Sequence, residues 1–185
     1  MPEKRNMKNT KQQRARLIWL STAAIIAALY VVLTYLAMAL GLDKNAIQIR
    51  FSETLVVLAF VTPAAIPGLT VGCFLANILT GCAPLDILLG PVATFIGAVG
   101  VFLFSKLKNQ RVWRFFCTLP NILANTVIVT FVCIVCYTAP EARSASLIPF
   151  YASTIFLGEL ISSGILGTAL LLWVSEPLKR MQRNL

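Results

Sequence analysis

Residues 17–40 carry no charged side chain and are mostly apolar. A helix rises ~1.5 Å per residue, so a run of this length crosses a ~30 Å hydrocarbon layer. A backbone placed there must satisfy its own polar groups, which a helix does internally. The pattern recurs. Apolar runs at 52–62, 69–80, 85–104, 115–137 and 148–174 are separated by short segments that hold most of the charges. Only 12% of residues are charged, where a soluble domain carries about 25%. The chain reads as an all-α integral membrane protein: one compact bundle of six transmembrane helices over 17–175. Basic tails at 1–16 and 176–185 flank it. The first run is too long for a cleavable signal, and no small-residue cleavage site follows it.

Helix lengths are uneven. Pro63 and Pro67 punctuate the second apolar stretch, and prolines inside a run break or end helices. The expectation is a tight turn at 63–68 between two short helices, 52–62 and 69–80, neither long enough to span as a straight rod. The alternative is one proline-kinked helix over 54–80. Asp43, Lys44 and Asn45 open a loop after the first helix, and Pro84 suits the first turn of the helix at 85–104.

Charge sets the topology. The net charge is +9, yet the basic residues fall in patches between apolar runs, which argues against nucleic acid. With six spans and both termini cytoplasmic, the inner segments 1–16, 106–114 and 176–185 hold six, four and three of the 16 Lys and Arg residues. Five spans would put the middle patch outside, against the positive-inside rule. Trp19, Trp113 and Trp173 all fall near the inner interface in this arrangement.

The chain has no histidine, which removes His metal ligands and a His general base. The five cysteines lie mostly inside apolar runs. Cys133 and Cys136 are spaced C-x-x-C, but in a transmembrane pattern they read as packing residues rather than a redox or metal pair. No cofactor site and no catalytic residue is expected.

Polar residues within or at the lip of the apolar runs carry the functional signal, because each needs a partner or a cavity. Arg50 and Glu53 lie three apart at the start of the second run and share a face if helical. A salt-bridged helix cap is the plain reading; one wall of a polar ligand site is the sharper one. Asn77 ends the third run and Asp86 begins the fourth. Asn121 and Asn125 sit at i, i+4 on the fifth, and Glu159 enters from the sixth. Together they would line an outward-facing polar pocket, although membrane asparagines also bond neighbouring helices without any ligand. Phe51 and Phe74 are candidates to stack on a ring. On the first helix, Ala23/Ala27 and Ala24/Ala28 are small-x-x-x-small pairs that permit close helix approach. Gly68, Gly72 and Ala76 make a similar ridge on the third.

A six-helix hydrophobic chain with a basic N-terminus and alanine pairs on its first helix resembles the substrate-binding S-components of energy-coupling-factor (ECF) transporters. The stretches Gln48-Ile-Arg-Phe-Ser-Glu53, Gly72-Cys-Phe-Leu-Ala-Asn77, Asp86 with Gly90 and Thr94, and Pro120-Asn-Ile-Leu-Ala-Asn125 resemble the QueT family of queuosine precursor transporters. The resemblance implies high-affinity capture of a vitamin-like solute outside: queuine or 7-aminomethyl-7-deazaguanine. Its partners would be a membrane T-component and two ABC-type ATPases. The docking face would map onto Ala23, Ala24, Ala27 and Ala28. The guanine-like edge would meet Glu53 or Glu159, the amine would meet Asp86, and Arg50 would hold Glu53 ionised. The chain lacks G-x-x-x-x-G-K-[ST], so the ATPase would belong to partner subunits. An S-component for riboflavin, thiamine or folate is the runner-up. An intramembrane enzyme is a poorer fit, since no nucleophile has an adjacent base. A ligand-free assembly subunit leaves the buried carboxylates unexplained.

Overall fold

In the computed structural model, residues 2–42, 49–108 and 110–183 are described. The loop at Asp43–Asn45 and the start of the Gln48 motif fall outside them. Among the described residues every regular element is helical. The elements are α1 (Pro2–Ala39), a 3-10 segment (Phe51–Phe60), α2 (Ala65–Leu79), α3 (Pro84–Ser105), a short α4 (Gln110–Phe116) and α5 (Leu119–Cys136). They are followed by α6 (Leu147–Glu159), a π-helical segment (Leu160–Gly167) and α7 (Thr168–Arg183). The last three run on without a break and form one long rod.

Among the described residues four stretches are long and apolar enough to cross a membrane: Lys11–Ala39, Pro84–Ser105, Val112–Cys136 and Leu147–Ser175. Phe51–Phe60 and Ala65–Leu79 are apolar but shorter. Ten residues of 3-10 helix reach about 20 Å and fifteen of α-helix about 22 Å, so neither matches a ~30 Å layer alone. They are separate helices joined at Val61–Ala64, which excludes the single kinked helix. At the join the amides of Ala65 and Ile66 donate to the carbonyls of Thr62 and Pro63.

Four boundaries differ from the sequence expectation. The turn lies at 61–64 rather than 63–68, and Pro67 falls in the first turn of α2, where a proline is tolerated. Residues ahead of 17 belong to the same helix as the first span, and α7 carries the helix through to Arg183. Polar, basic residues such as Lys, Arg and Gln have good helix propensity, so composition ends the membrane span without ending the helix. Part of the basic connector at 106–114 folds as α4, where Trp113 packs edge-to-face on Phe104 at 5.3 Å. Trp19 and Trp173 are exposed on the bundle surface.

Glycines set the closest helix approaches. A Cβ on Gly68 would stand 2.6 Å from the Ala23 carbonyl oxygen, and one on Gly72 would stand 3.0 Å from Ala27 Cα. The glycine ridge of α2 thus seats directly on Ala23 and Ala27 of α1. On α3, a Cβ on Gly97 would collide with Asn121 Oδ1, and one on Gly100 would meet Pro120. That contact draws α5 against α3 and places Asn121 in the centre of the bundle.

The core follows the eclipsed geometry of the 3-10 segment, where residues three apart share one face. Glu53, Val56 and Ala59 form one buried row, and Leu55 and Val57 pack beside it against Leu69, Ala98 and Leu171. The π segment lies against the same element. Gly167 leaves room for Val57, and the Thr54 hydroxyl donates to the Ser162 carbonyl at 3.0 Å. A π-helix bonds at i→i+5, and the Thr54 hydroxyl ties this carbonyl to the 3-10 segment.

Candidate functional site

A cavity of about 510 Å³ opens between α1, the start of the 3-10 segment, the α2–α3 turn and the end of α5. Its polar wall includes Tyr30, Arg50, Ser52, Asn77, Asp86 and Tyr137, and Val129 and Cys133 supply an apolar side. Asp86 is placed by Pro84, which starts α3, and sits in the first turn of that helix. An anionic side chain is favoured there by the helix dipole.

Arg50 pairs with Asp86, Nη2 to Oδ2 at 3.9 Å. This corrects the expectation that Arg50 serves Glu53. Arg50 caps the 3-10 segment in extended backbone, its carbonyl accepting the Glu53 amide at 3.1 Å, while its side chain goes to Asp86. The Tyr137 hydroxyl approaches Asp86 Oδ2 at 3.4 Å and also accepts the Ala83 amide at 3.1 Å. Asp86 is 2% exposed, and its Oδ1 has no partner. Gly90 admits the Asn77 side chain one turn along, and Asn77 Nδ2 donates to the Asp86 carbonyl at 2.9 Å.

Behind the cavity wall lies a second polar group, held among the apolar helices. Tyr30 reaches from α1 and its hydroxyl donates to Glu53 Oε1 in a short hydrogen bond. Asn121 Nδ2 stands 3.1 Å from Glu53 Oε2, 3.2 Å from Glu159 Oε2 and 3.3 Å from Ser163 Oγ. Asn125 Nδ2 donates to the Asn121 carbonyl on its own helix. Glu53, Asn121, Asn125 and Glu159 are all buried. The α-helix carrying Glu159 turns into the π segment at the next residue, which brings Ser163 to the same amide.

The expected residues therefore divide. Arg50, Asn77 and Asp86 line the cavity, while Glu53, Asn121 and Glu159 form the group behind it, joined to the cavity by Tyr30. Phe51 and Phe74 do not line the cavity; Phe74 is 39% exposed on the outside of α2. The residues not anticipated are Tyr30, Ser52, Tyr137 and Ser163. Tyr30 had a readable signal: a tyrosine deep in an apolar span needs a partner for its hydroxyl.

The small-residue pairs on α1 also divide. Ala27 is buried under α2, whereas Ala24 and Ala28 are exposed.

The family model for the QueT transporter matches residues 20–176. The chain belongs to the QueT transporter family. It is also 36% identical over 94 residues to "Queuosine precursor transporter QueT" of Lactococcus lactis subsp. cremoris (strain MG1363). That match takes in 50% of this chain and 55% of the relative, so the chain spans about half the length of the curated relative it matches. No solved structure matches it. Family membership and the four long apolar helices make this a multi-pass membrane protein.

Proposed function

We propose that this chain is the solute-capturing S-component of an ECF transporter, and that its solute is a queuosine precursor of the 7-deazaguanine type. The observation carrying the reading is the cavity with Asp86 in its wall. A volume of about 510 Å³ lies within the usual range for small-molecule sites. Asp86 brings a buried carboxylate with one oxygen unoccupied, and Asn77 and Tyr137 stand beside it. The curated relative is named for the same solute class.

The ligand chemistry suits these groups. Queuosine precursors carry a pyrimidine edge with a ring N–H and an amino group side by side, which a carboxylate accepts in a bidentate way. The simplest precursor also bears an aminomethyl cation. Asp86 meets that amine. The ring edge reaches toward Glu53 past the Tyr30 hydroxyl, with Glu159 and Asn125 deeper. Energy for import comes from a T-component and two ATPases, and Ala24 and Ala28 form the exposed part of the docking face. Both termini are cytoplasmic.

Titration calorimetry on the purified chain tests the reading. Queuine or the aminomethyl precursor binds tightly, and adenine and riboflavin bind far more weakly. Removing one partner of a desolvated charged pair costs about 2–5 kcal/mol, so Asp86→Asn weakens binding roughly 30- to several-thousand-fold. Preference for a flavin, thiamine or folate would replace the solute but retain the S-component. Unchanged affinity in Asp86→Asn would remove the cavity from the binding site.

A further inference from the structure

Arg50 brings a guanidinium into the cavity wall with its donors almost unused. The group has five N–H donors and no acceptor. Among the described residues its side chain makes one polar contact, with Asp86 Oδ2 at 3.9 Å. That is an ion pair, but it is beyond hydrogen-bond length. The Arg50 side chain is 23% exposed and lines the cavity. Its partner is little better served: Asp86 Oδ1 is buried without a donor, and the Tyr137 hydroxyl stands 3.4 Å from Oδ2. A buried ion pair stabilises a fold only when close geometry and further hydrogen bonds satisfy both groups. This pair has neither, and it leaves donors free to meet a third group.

The order of groups along the wall says what that third group is. The Arg50 side chain pairs with Asp86, and its carbonyl accepts the Glu53 amide at 3.1 Å. Arg50 thus links the two carboxylates, and the wall runs acceptor, donor, acceptor from Asp86 through Arg50 to Glu53 behind Tyr30. An aminomethyl 7-deazaguanine presents the opposite sequence along one edge. Its amine comes first, then the ring carbonyl, then the ring N–H. The carbonyl lies between the two donors and needs a donor of its own.

We propose that Arg50 donates to the ring carbonyl of the solute and thereby selects an oxo ring over one with an amino group or a bare C–H in that place. This rests on the queuosine-precursor reading and assigns the one polar group that Asp86 and Glu53 leave without a partner. An amino group at the same ring position would turn donors toward a cation. A C–H there would leave the guanidinium with the loose ion pair alone. Both are penalties against the wrong solute, and specificity needs such penalties as well as contacts to the right one.

Titration calorimetry with two probes tests it: the aminomethyl precursor and its 6-deoxo analogue. The analogue keeps the amine and the ring amino group but lacks the carbonyl and the ring N–H. The native chain binds the precursor more tightly. Arg50→Met lowers the ratio of the two affinities by roughly 10- to 150-fold, the range for a hydrogen bond to a charged group. A merely structural role for Arg50 would weaken both probes alike and leave the ratio where it was. If the native chain does not bind the precursor, the queuosine reading falls and this assignment falls with it. If it binds the precursor but the ratio is the same in Arg50→Met, the reading stands and the role of Arg50 is overturned. Arg50→Lys keeps the charge beside Asp86 and replaces Arg50→Met should that variant not fold. An ammonium lacks the planar fork of donors, so the ratio falls here too, and an unchanged ratio would again overturn the assignment.

Discussion

Asn121 is the side chain that most depends on the absence of another. It occupies the space where Gly97 has no Cβ, with its Cα 2.8 Å from the position such an atom would take. Part of that contact is backbone, so the strain cannot be relieved by a rotamer change. Gly97→Ala is therefore expected to destabilise the fold by about 1–3 kcal/mol, the range for overpacking a close interior. Thermal unfolding in detergent reads this. Gly164→Ala is the control, because a Cβ there meets nothing nearer than the flexible tip of Leu160 at 3.3 Å; equal loss in both variants would mean that helix glycine itself, rather than the Asn121 contact, sets the cost. At this scale the sequence was partly legible. The cost of burying an acid or amide picks out Glu53, Asn121, Asn125 and Glu159 from their apolar surroundings. Which carboxylate Arg50 serves was not legible, because it depends on the backbone turning extended one residue before the 3-10 segment.

Among the elements, α1 and α2 meet through a ridge of small residues on both sides. Ala27 and Gly72 lie so close that Ala27→Leu is expected to separate the helices, lowering the melting temperature and broadening the size-exclusion peak. Ala28→Leu, one position on and exposed, leaves both unchanged. Loss of stability from both variants would mean that the exposed face also packs within the chain. The alanine pairs were readable in the sequence, but their division was not: the repeat shows that a face is small, and only the neighbour shows which face is covered. The 3-10 and π segments were likewise hidden, since their composition does not differ from that of an α-helix. They arise where Thr54, Val57, Ser162 and Gly167 fit against one another.

For the molecule as a whole, Phe51–Phe60 and Ala65–Leu79 are a short apolar pair joined by a turn. Whether it crosses fully or only part-way, it leaves the parity of the other spans unchanged, so the charge argument holds for either. The expected topology has both termini inside. In a version freed of its native cysteines, a thiol at Ser144 labels from outside and one at Lys108 does not; both native residues are exposed in the fold. Equal labelling from outside would reject this arrangement. Helix number and order were legible because hydropathy is written locally. The cavity was legible only through Arg50, Asn77 and Asp86; its outline was not, because it is bounded by residues from five separated stretches that meet only in the folded bundle.

The unequal lengths of these helices also bear on how the chain is made. The first span is expected to settle in the bilayer as a self-sufficient unit, since the rest of the fold buries only 17% of its apolar 18-residue window. The next two cannot, because each is too short to be retained singly. They are expected to insert as a pair, and the Ala23–Ala27 ridge, on which Gly68 and Gly72 of α2 seat, is the surface that receives them. Synthesis halted after Phe60 should thus yield a chain anchored by one helix, with the following segment extractable by alkali, and synthesis carried past Leu79 should lock the hairpin in place.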